Sequence, residues 1–195
     1  MAGGHEPPGG TSVAVTAVNP ATARHVAAKL ARHFIADDPP AGAIDRLMRI
    51  YRDTDGDLGI LSLALIEAPE AWQAPLGKLK SANDYVISVA RAIAFQGDPM
   101  NLIGSLRVLG QAPFAAPSPA GWPDTAQDWV GPESVLRRAE WAYVVARRVT
   151  RPPRDTLAAA IGPLAAEATV DAVERAPSAT DGLALVFASP EFQRR

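Results

Sequence analysis

The chain has 195 residues, no cysteine, 48% hydrophobic and 21% charged residues, and a formal net charge of −2. Zero cysteine excludes disulfides, thiol nucleophiles and thiolate metal sites, and a balanced charge with a pI near 5.9 removes the electrostatic case for nucleic acid or an anionic membrane. The length fits one domain, or a small pair, able to bury roughly 70% of its unfolded surface, and 38 of the residues are Ala against only 12 aromatics.

The first nineteen residues hold four Gly and two Pro before any periodic pattern begins, so 1–19 reads as an irregular segment with at most a short extended stretch at Val13, Val15 and Val18. No basic region followed by a long apolar stretch opens it, so no secretory signal is read there. No window approaches the ~20 apolar residues of a membrane span. The compartment stays open: the expectation is a cytoplasmic chain, or a fragment whose leader lies elsewhere.

Helix punctuation then becomes legible. Asn19-Pro20 is a cap followed by proline at the first helical position, and it predicts a helix over 20–35 with Ala23, Val26, Ala27, Leu30 and Phe34 on one stripe. Asp38-Pro39 repeats the device and predicts a helix to about Arg52, with Ile44, Leu47, Met48 and Tyr51 inward. Gly56 stops it, and Asp57 caps a helix over 58–68. Ser81 with Asp84 resembles a capping box and opens a helix carrying Val86, Val89, Ala90 and Ile93. Asp98-Pro99 opens the next, through Leu102, Ile103, Leu106 and Leu109 to Gly110.

A long loop follows from Gln111 to Pro132, with prolines at 113, 117, 119, 123 and 132 and one helical turn over 125–129. A helix over 133–149 places Leu136, Ala139, Tyr143 and Ala146 on one face. Shorter helices are predicted over 155–166, 169–176 and 181–188. No strand pattern is found after residue 20. The expected class is therefore all-α, an irregular bundle of about eight helices in a single helical domain over 20–195, with the Pro/Trp-rich loop strapped over the core. The Ala excess suits it, because Ala is the best helix former and lets helices approach closely.

The motif Thr54-Asp55-Gly56, followed by an apolar run ending in Pro69-Glu70-Ala71-Trp72, is echoed by Thr180-Asp181-Gly182 and a run ending in Pro190-Glu191-Phe192. Both read as a helix stopped by proline, then a turn that delivers an aromatic. Two instances fall short of a repeat signature, and the bland reading, that short helices often end this way, is preferred.

Asp53, Asp55 and Asp57 put three carboxylates within five residues, an oxygen cluster that makes a weak calcium candidate. The spacing fails the EF-hand pattern, since Gly56 and Ala64 fall at the wrong positions. Helix capping is the preferred reading, and neither a metal nor a cofactor is assigned. His33 with Asp37 or Asp38 offers an acid–base pair, but a histidine interacting with a helix C-terminus is preferred. With three histidines and no recognised nucleophile elbow, phosphate loop or zinc motif, no catalytic constellation is recognisable. The long loop is the most distinctive stretch. Its aromatics Phe114, Trp122 and Trp129 are expected to plug the core as a strap, with a pocket wall using Gln111, Asp124 and Asp128 as the competing reading.

At this loop the sequence resembles a bacterial family known as domain of unknown function 1800. The matching stretches are NPATARHVAAKLARHFIADDPP, TDGDLGILSLALIEAPEAW, KLKSANDYVISVARAI, LGQAPFAAPSPAGWPDTAQDWV and LALVFASPEFQRR; His5-Glu6-Pro7 also matches a short family stretch. The resemblance is to the C-terminal part of members typically more than twice this length, many with a leader suited to export and many encoded beside a sulfatase-like protein. It implies a chain that is one half of a larger protein, an exported full-length form, and that neighbour as a protein partner. It carries over no catalytic residue, only the recurring segments around Lys78–Ser81, Gln111–Phe114 and Gly121–Asp124.

Two functional expectations follow. The first is a protein-interaction or scaffold module of a larger bacterial protein. The alternative is the C-terminal half of an enzyme, or a small-molecule or sugar binder, whose pocket a missing N-terminal half completes. The candidate binding residues are Lys80, Gln111, Phe114, Trp122, Asp124 and Trp129; Lys80, Asp124 and His33 are the contributors expected under the enzyme reading.

Overall fold

A computed structural model describes residues 19–73 and 77–195. The expectations for the N-terminal stretch, including the extended valines and His5, lie outside the described residues. The described chain is all-α: nine α-helices and three single-turn 3-10 helices, joined by one isolated antiparallel bridge between Leu79 and Arg194. Two compact units divide at residues 75 and 76.

The first unit holds α1 (Pro20–Phe34), α2 (Ala41–Asp53) and α3 (Leu58–Ile66). Asn19 caps α1 through its side chain, which accepts from the Ala21 amide at 2.8 Å, with Pro20 in the first turn. One face of α1 is a run of alanines, Ala23, Ala27 and Ala31, all fully buried against α2. Methyl groups four residues apart leave room for a close approach, where Leu47 and Tyr51 of α2 and Leu61 and Leu65 of α3 complete the core. Phe34, expected on that stripe, is exposed, and Ala31 takes the buried position instead. The second helix also begins later than expected. Asp38-Pro39 lies in the preceding bend, and Pro40 at the N-cap position offers no side-chain cap. Gly56 ends that stretch in a left-handed conformation, φ +85°, against the Tyr51 ring. Asp57 then caps α3, its carboxylate accepting from Gly59 and Ile60 at 2.8 and 3.0 Å. A bidentate pair from Arg46 to Glu70, at 3.0 and 2.8 Å, ties α2 to the 3-10 turn that follows α3.

The second unit holds α4 (Ala82–Ala92), α5 (Pro99–Val108), α6 (Pro132–Ala146), α7 (Pro153–Ala160), α8 (Glu167–Glu174) and α9 (Ala179–Ala188). Ser81 caps α4 by accepting from the Asp84 amide, and Asp98 caps α5 by accepting from Met100, both as read from the sequence. Helix α9 packs along α6 and also against α7 and α8. The core between them is Tyr85, Val86, Trp141, Leu183, Phe187 and Phe192 with their neighbours. The expected inward face of α6 is overturned at three of its four positions and kept at Ala146. Leu136, Ala139 and Tyr143 are exposed, and the buried face is Arg138, Trp141, Ala142 and Ala146. Four-residue steps put Arg138, Ala142 and Ala146 on one line with Trp141 beside it; the Trp141 ring fills the core and the two alanine methyls let α9 approach.

The internal echo holds only in its second half. Gly56 terminates a helix, whereas Gly182 lies inside the first turns of α9, pressed against Pro153. The aromatics delivered by the two turns also differ, Trp72 being exposed and Phe192 buried.

Candidate functional site

The segment Lys78–Ser81 runs extended beside the last residues of the chain. Lys78 and Arg195 exchange both backbone hydrogen bonds, at 3.0 and 2.8 Å, and the Lys80 amide donates to the Gln193 carbonyl at 2.8 Å. This two-stranded joint brings cations into the interior, where each must find oxygens. The buried Lys78 ammonium donates to the Asp124 carbonyl at 2.8 Å and stands 3.9 Å from its carboxylate. Lys80 donates to the Phe192 carbonyl at 2.7 Å and lies 4.4 Å from that residue's ring centroid. Burial pulls the Lys80 ammonium down to about 8; nearby Asp84 opposes that shift and Arg195 adds to it.

Arg138 anchors the joint from α6. Its guanidinium donates to the Lys80 carbonyl and to the Gln193 side chain, each at 2.8 Å, and sits 5.3 Å from the Tyr85 ring. Burial lowers its pKa, with Tyr85 opposing. The Tyr85 hydroxyl donates to the Phe187 carbonyl at 3.1 Å, and burial pushes that phenol up. These contacts are structural in character: each charged donor is aimed at a backbone or amide oxygen.

The long loop is pinned at its base. The Gln111 side chain accepts from the Asn83 amide at 2.6 Å, so it helps to satisfy the first turn of α4. The Trp129 indole donates to the Pro123 carbonyl at 3.1 Å, and the Trp122 and Trp129 rings stack at a tilt, 6.1 Å apart. A 3-10 turn over Ala126–Asp128 occupies the place where one helical turn is expected, with Thr125 donating to Asp128 at 2.5 Å. Both tryptophans are half-buried, and Trp129 borders a small cleft of about 100 Å³ with Leu79 and Gln193. Phe114 departs from the expectation of a core plug. It is fully exposed, at 108% of its reference area, and holds φ +58°.

The structure thus brings Gln111, Trp122, Asp124 and Trp129 onto one strap, leaves Phe114 outside it, and separates Lys80 from Asp124. Lysine 78 meets Asp124, while Lys80 opens onto a cavity with Arg91 and Arg151. Arg138, Tyr85 and Gln193 were missed by sequence reasoning; the available signal was that Arg138, Ala142 and Val145 share a helical stripe, which a charged first member hides. An apolar cavity of about 430 Å³ lies between α4, α5 and α6, lined by residues such as Val89, Leu102 and Trp141.

Asp53, Asp55 and Asp57 do not converge. Asp57 spends its carboxylate on the α3 cap, and Asp55 sits in a left-handed conformation, φ +49°. Among the described residues, His, Asp and Glu form no group of three able to hold a metal. Nor is any described helix long and apolar enough to cross a membrane. His33 stacks edge-on against Phe34, with ring centroids 4.6 Å apart.

Residues 2–194 match the family model described as Protein of unknown function (DUF1800). No curated protein and no solved structure matches the chain.

Proposed function

The chain belongs to the DUF1800 family, and we propose that it serves there as a helical protein-interaction module whose contact is the Phe114 loop. One observation carries this reading. A loop fastened to α4 at Gln111 and to the Lys78 segment at Asp124, and braced within itself by the Trp129–Pro123 bond, holds a phenylalanine wholly in solvent, in a backbone conformation unfavourable for a residue with a Cβ. An aromatic held outward by an ordered loop is pre-organised to enter a partner's pocket, which reduces the ordering cost of association. The partner we assign is the sulfatase-like protein that the family resemblance places beside such chains.

The test is the affinity of the full chain for that protein, measured by surface-based binding, against Phe114→Ala. A buried aromatic anchor predicts a loss of at least about tenfold, with unchanged circular dichroism and urea midpoint, because an exposed side chain contributes little to the fold. Equal affinity for both proteins, or no binding by either, overturns the reading.

A further inference from the structure

The Phe114 loop leaves unexplained a second feature of the same unit, which stands independently of the interaction reading. A cavity of about 330 Å³ is lined by Lys80, Ser88, Arg91, Ala92, Arg151, Ala159 and Ala160. Three separate parts of the chain each send one cation to it: the extended segment before α4, the last turn of α4, and the connection from α6 to α7. Ser88 adds a hydroxyl, the two alanines of α7 leave the volume open, and no carboxylate stands among the lining residues.

Like charges gathered around one cavity repel, and an anion bound among them relieves that repulsion. The cations are also positioned by the fold. Arg151 is fixed by a hydrogen bond from Nη1 to the Ala92 carbonyl at 3.0 Å, at the C-terminal end of α4, which leaves its other guanidinium nitrogens for a ligand. Lys80 is held by the Phe192 carbonyl and ring. Asp84, one turn before Ser88 on α4, faces Arg195 at 3.5 Å.

We infer that this cavity is a binding site for a doubly charged tetrahedral oxyanion, the phosphoryl or sulfuryl group of a small soluble ligand, held by Lys80, Arg91 and Arg151 with Ser88 as a neutral donor. A guanidinium presents paired donors in a planar fork suited to two oxygens of one such group. The small alanine walls leave room for the remainder of a compact ligand.

The experiment titrates the full chain with inorganic phosphate, sulfate and malonate, at constant ionic strength, reading thermal-unfolding midpoint and heat of binding. Two variants are compared, Arg91→Gln and Arg151→Gln. Arg91 is exposed and has no part in the joint around Arg138, so its loss leaves the fold intact. The expected result is saturable stabilisation by phosphate and sulfate, weakened about tenfold in Arg91→Gln, the loss of one charge-assisted contact. Malonate binding as tightly as phosphate overturns the tetrahedral assignment. No saturable binding, or binding unaltered in Arg91→Gln, overturns the site. Loss of phosphate binding in Arg151→Gln with a retained folding transition supports it, and failure of that variant to fold leaves the decision to Arg91→Gln.

Discussion

The Arg138 guanidinium and the Lys80 carbonyl lie 2.8 Å apart, joining residues 58 positions apart in sequence. Through that bond and the one to Gln193, a single buried cation from α6 holds both strands of the joint in which Lys78 and Lys80 are carried. Removing it leaves two oxygens in the interior without their donor.

Arg138→Met is therefore expected to destabilise the protein by about 2 kcal/mol, since hydrogen bonds from charged donors are worth about 1.5–3 each and the relieved burial of the cation offsets part of that. Arg137 provides the contrast. Its contact is a 2.8 Å pair with the exposed Glu133 carboxylate one turn away, so Arg137→Met changes stability by less than about 0.5 kcal/mol. Urea midpoints of both variants check the ordering; an equal cost for the two would falsify the anchoring role.

The register of α6 is open to an equally direct check. Leu136 is exposed and Ala142 fully buried against α9. Leu136→Lys is expected to change stability by no more than about 0.5 kcal/mol. Ala142→Leu forces extra volume into a packed seam and costs about 1–3 kcal/mol. Thermal unfolding of the two proteins distinguishes the buried face from the one that Leu136 and Tyr143 mark.

How far the fold was legible can be read at that helix. Starts marked by a side-chain acceptor, at Asn19, Asp57, Ser81 and Asp98, are found where the local chemistry puts them, because a cap is a contact within three residues. The face of α6 is chosen by α9, a helix distant in sequence, and the only local trace of that choice, the stripe of Arg138, Ala142 and Val145, is hidden by its charged first member. Asp38 shows a further limit: the Asp-Pro pattern is present, but the chain bends there and the helix waits for Ala41. In the candidate site, Gln111 and Asp124 proved to be ties holding the loop, which their polar character alone does not distinguish from ligand contacts. Arg91 and Arg151 were passed over because cavities form from residues distant in sequence.

The aspartate cluster around Gly56 separates two chemistries. As a cap, Asp57 contributes about 1 kcal/mol, so Asp57→Ala lowers stability by that amount. As a calcium ligand set, Asp53, Asp55 and Asp57 make stability depend on the ion. The expected outcome is the capping loss alone, with the midpoint of the wild-type protein the same in calcium and in chelator.

Lys80 sets a pH dependence whose sign is fixed. Its ammonium is pulled from an ordinary 10.5 to about 8 in the folded chain, so between those values the unfolded chain binds the extra proton. Stability therefore rises as pH increases from 8 toward 10. Asp84 and Arg195 act on it with opposite signs, Arg91 and Arg151 share its cavity, and Phe192 covers one side. Above the ordinary tyrosine value of 10.0 the trend reverses, because the buried Tyr85 phenol stays neutral while its unfolded counterpart ionises. Denaturant midpoints between pH 7 and 10 should climb in wild type relative to Lys80→Met; parallel curves refute the shift.

The pairing of residues 78–80 with 193–195 has a topological consequence. The two ends of the second unit leave from the same spot, so its six helices form a closed circuit that can be spliced into another polypeptide, or permuted by linking those ends and opening the 111–131 loop, without lengthening any internal connection. Tension applied through both ends meets the few backbone bonds of the joint and the side-chain bonds of Lys78, Lys80 and Arg138, loaded one after another as in a zip, before it reaches the helices. The joint is thus the latch on which the mechanical integrity of that unit depends.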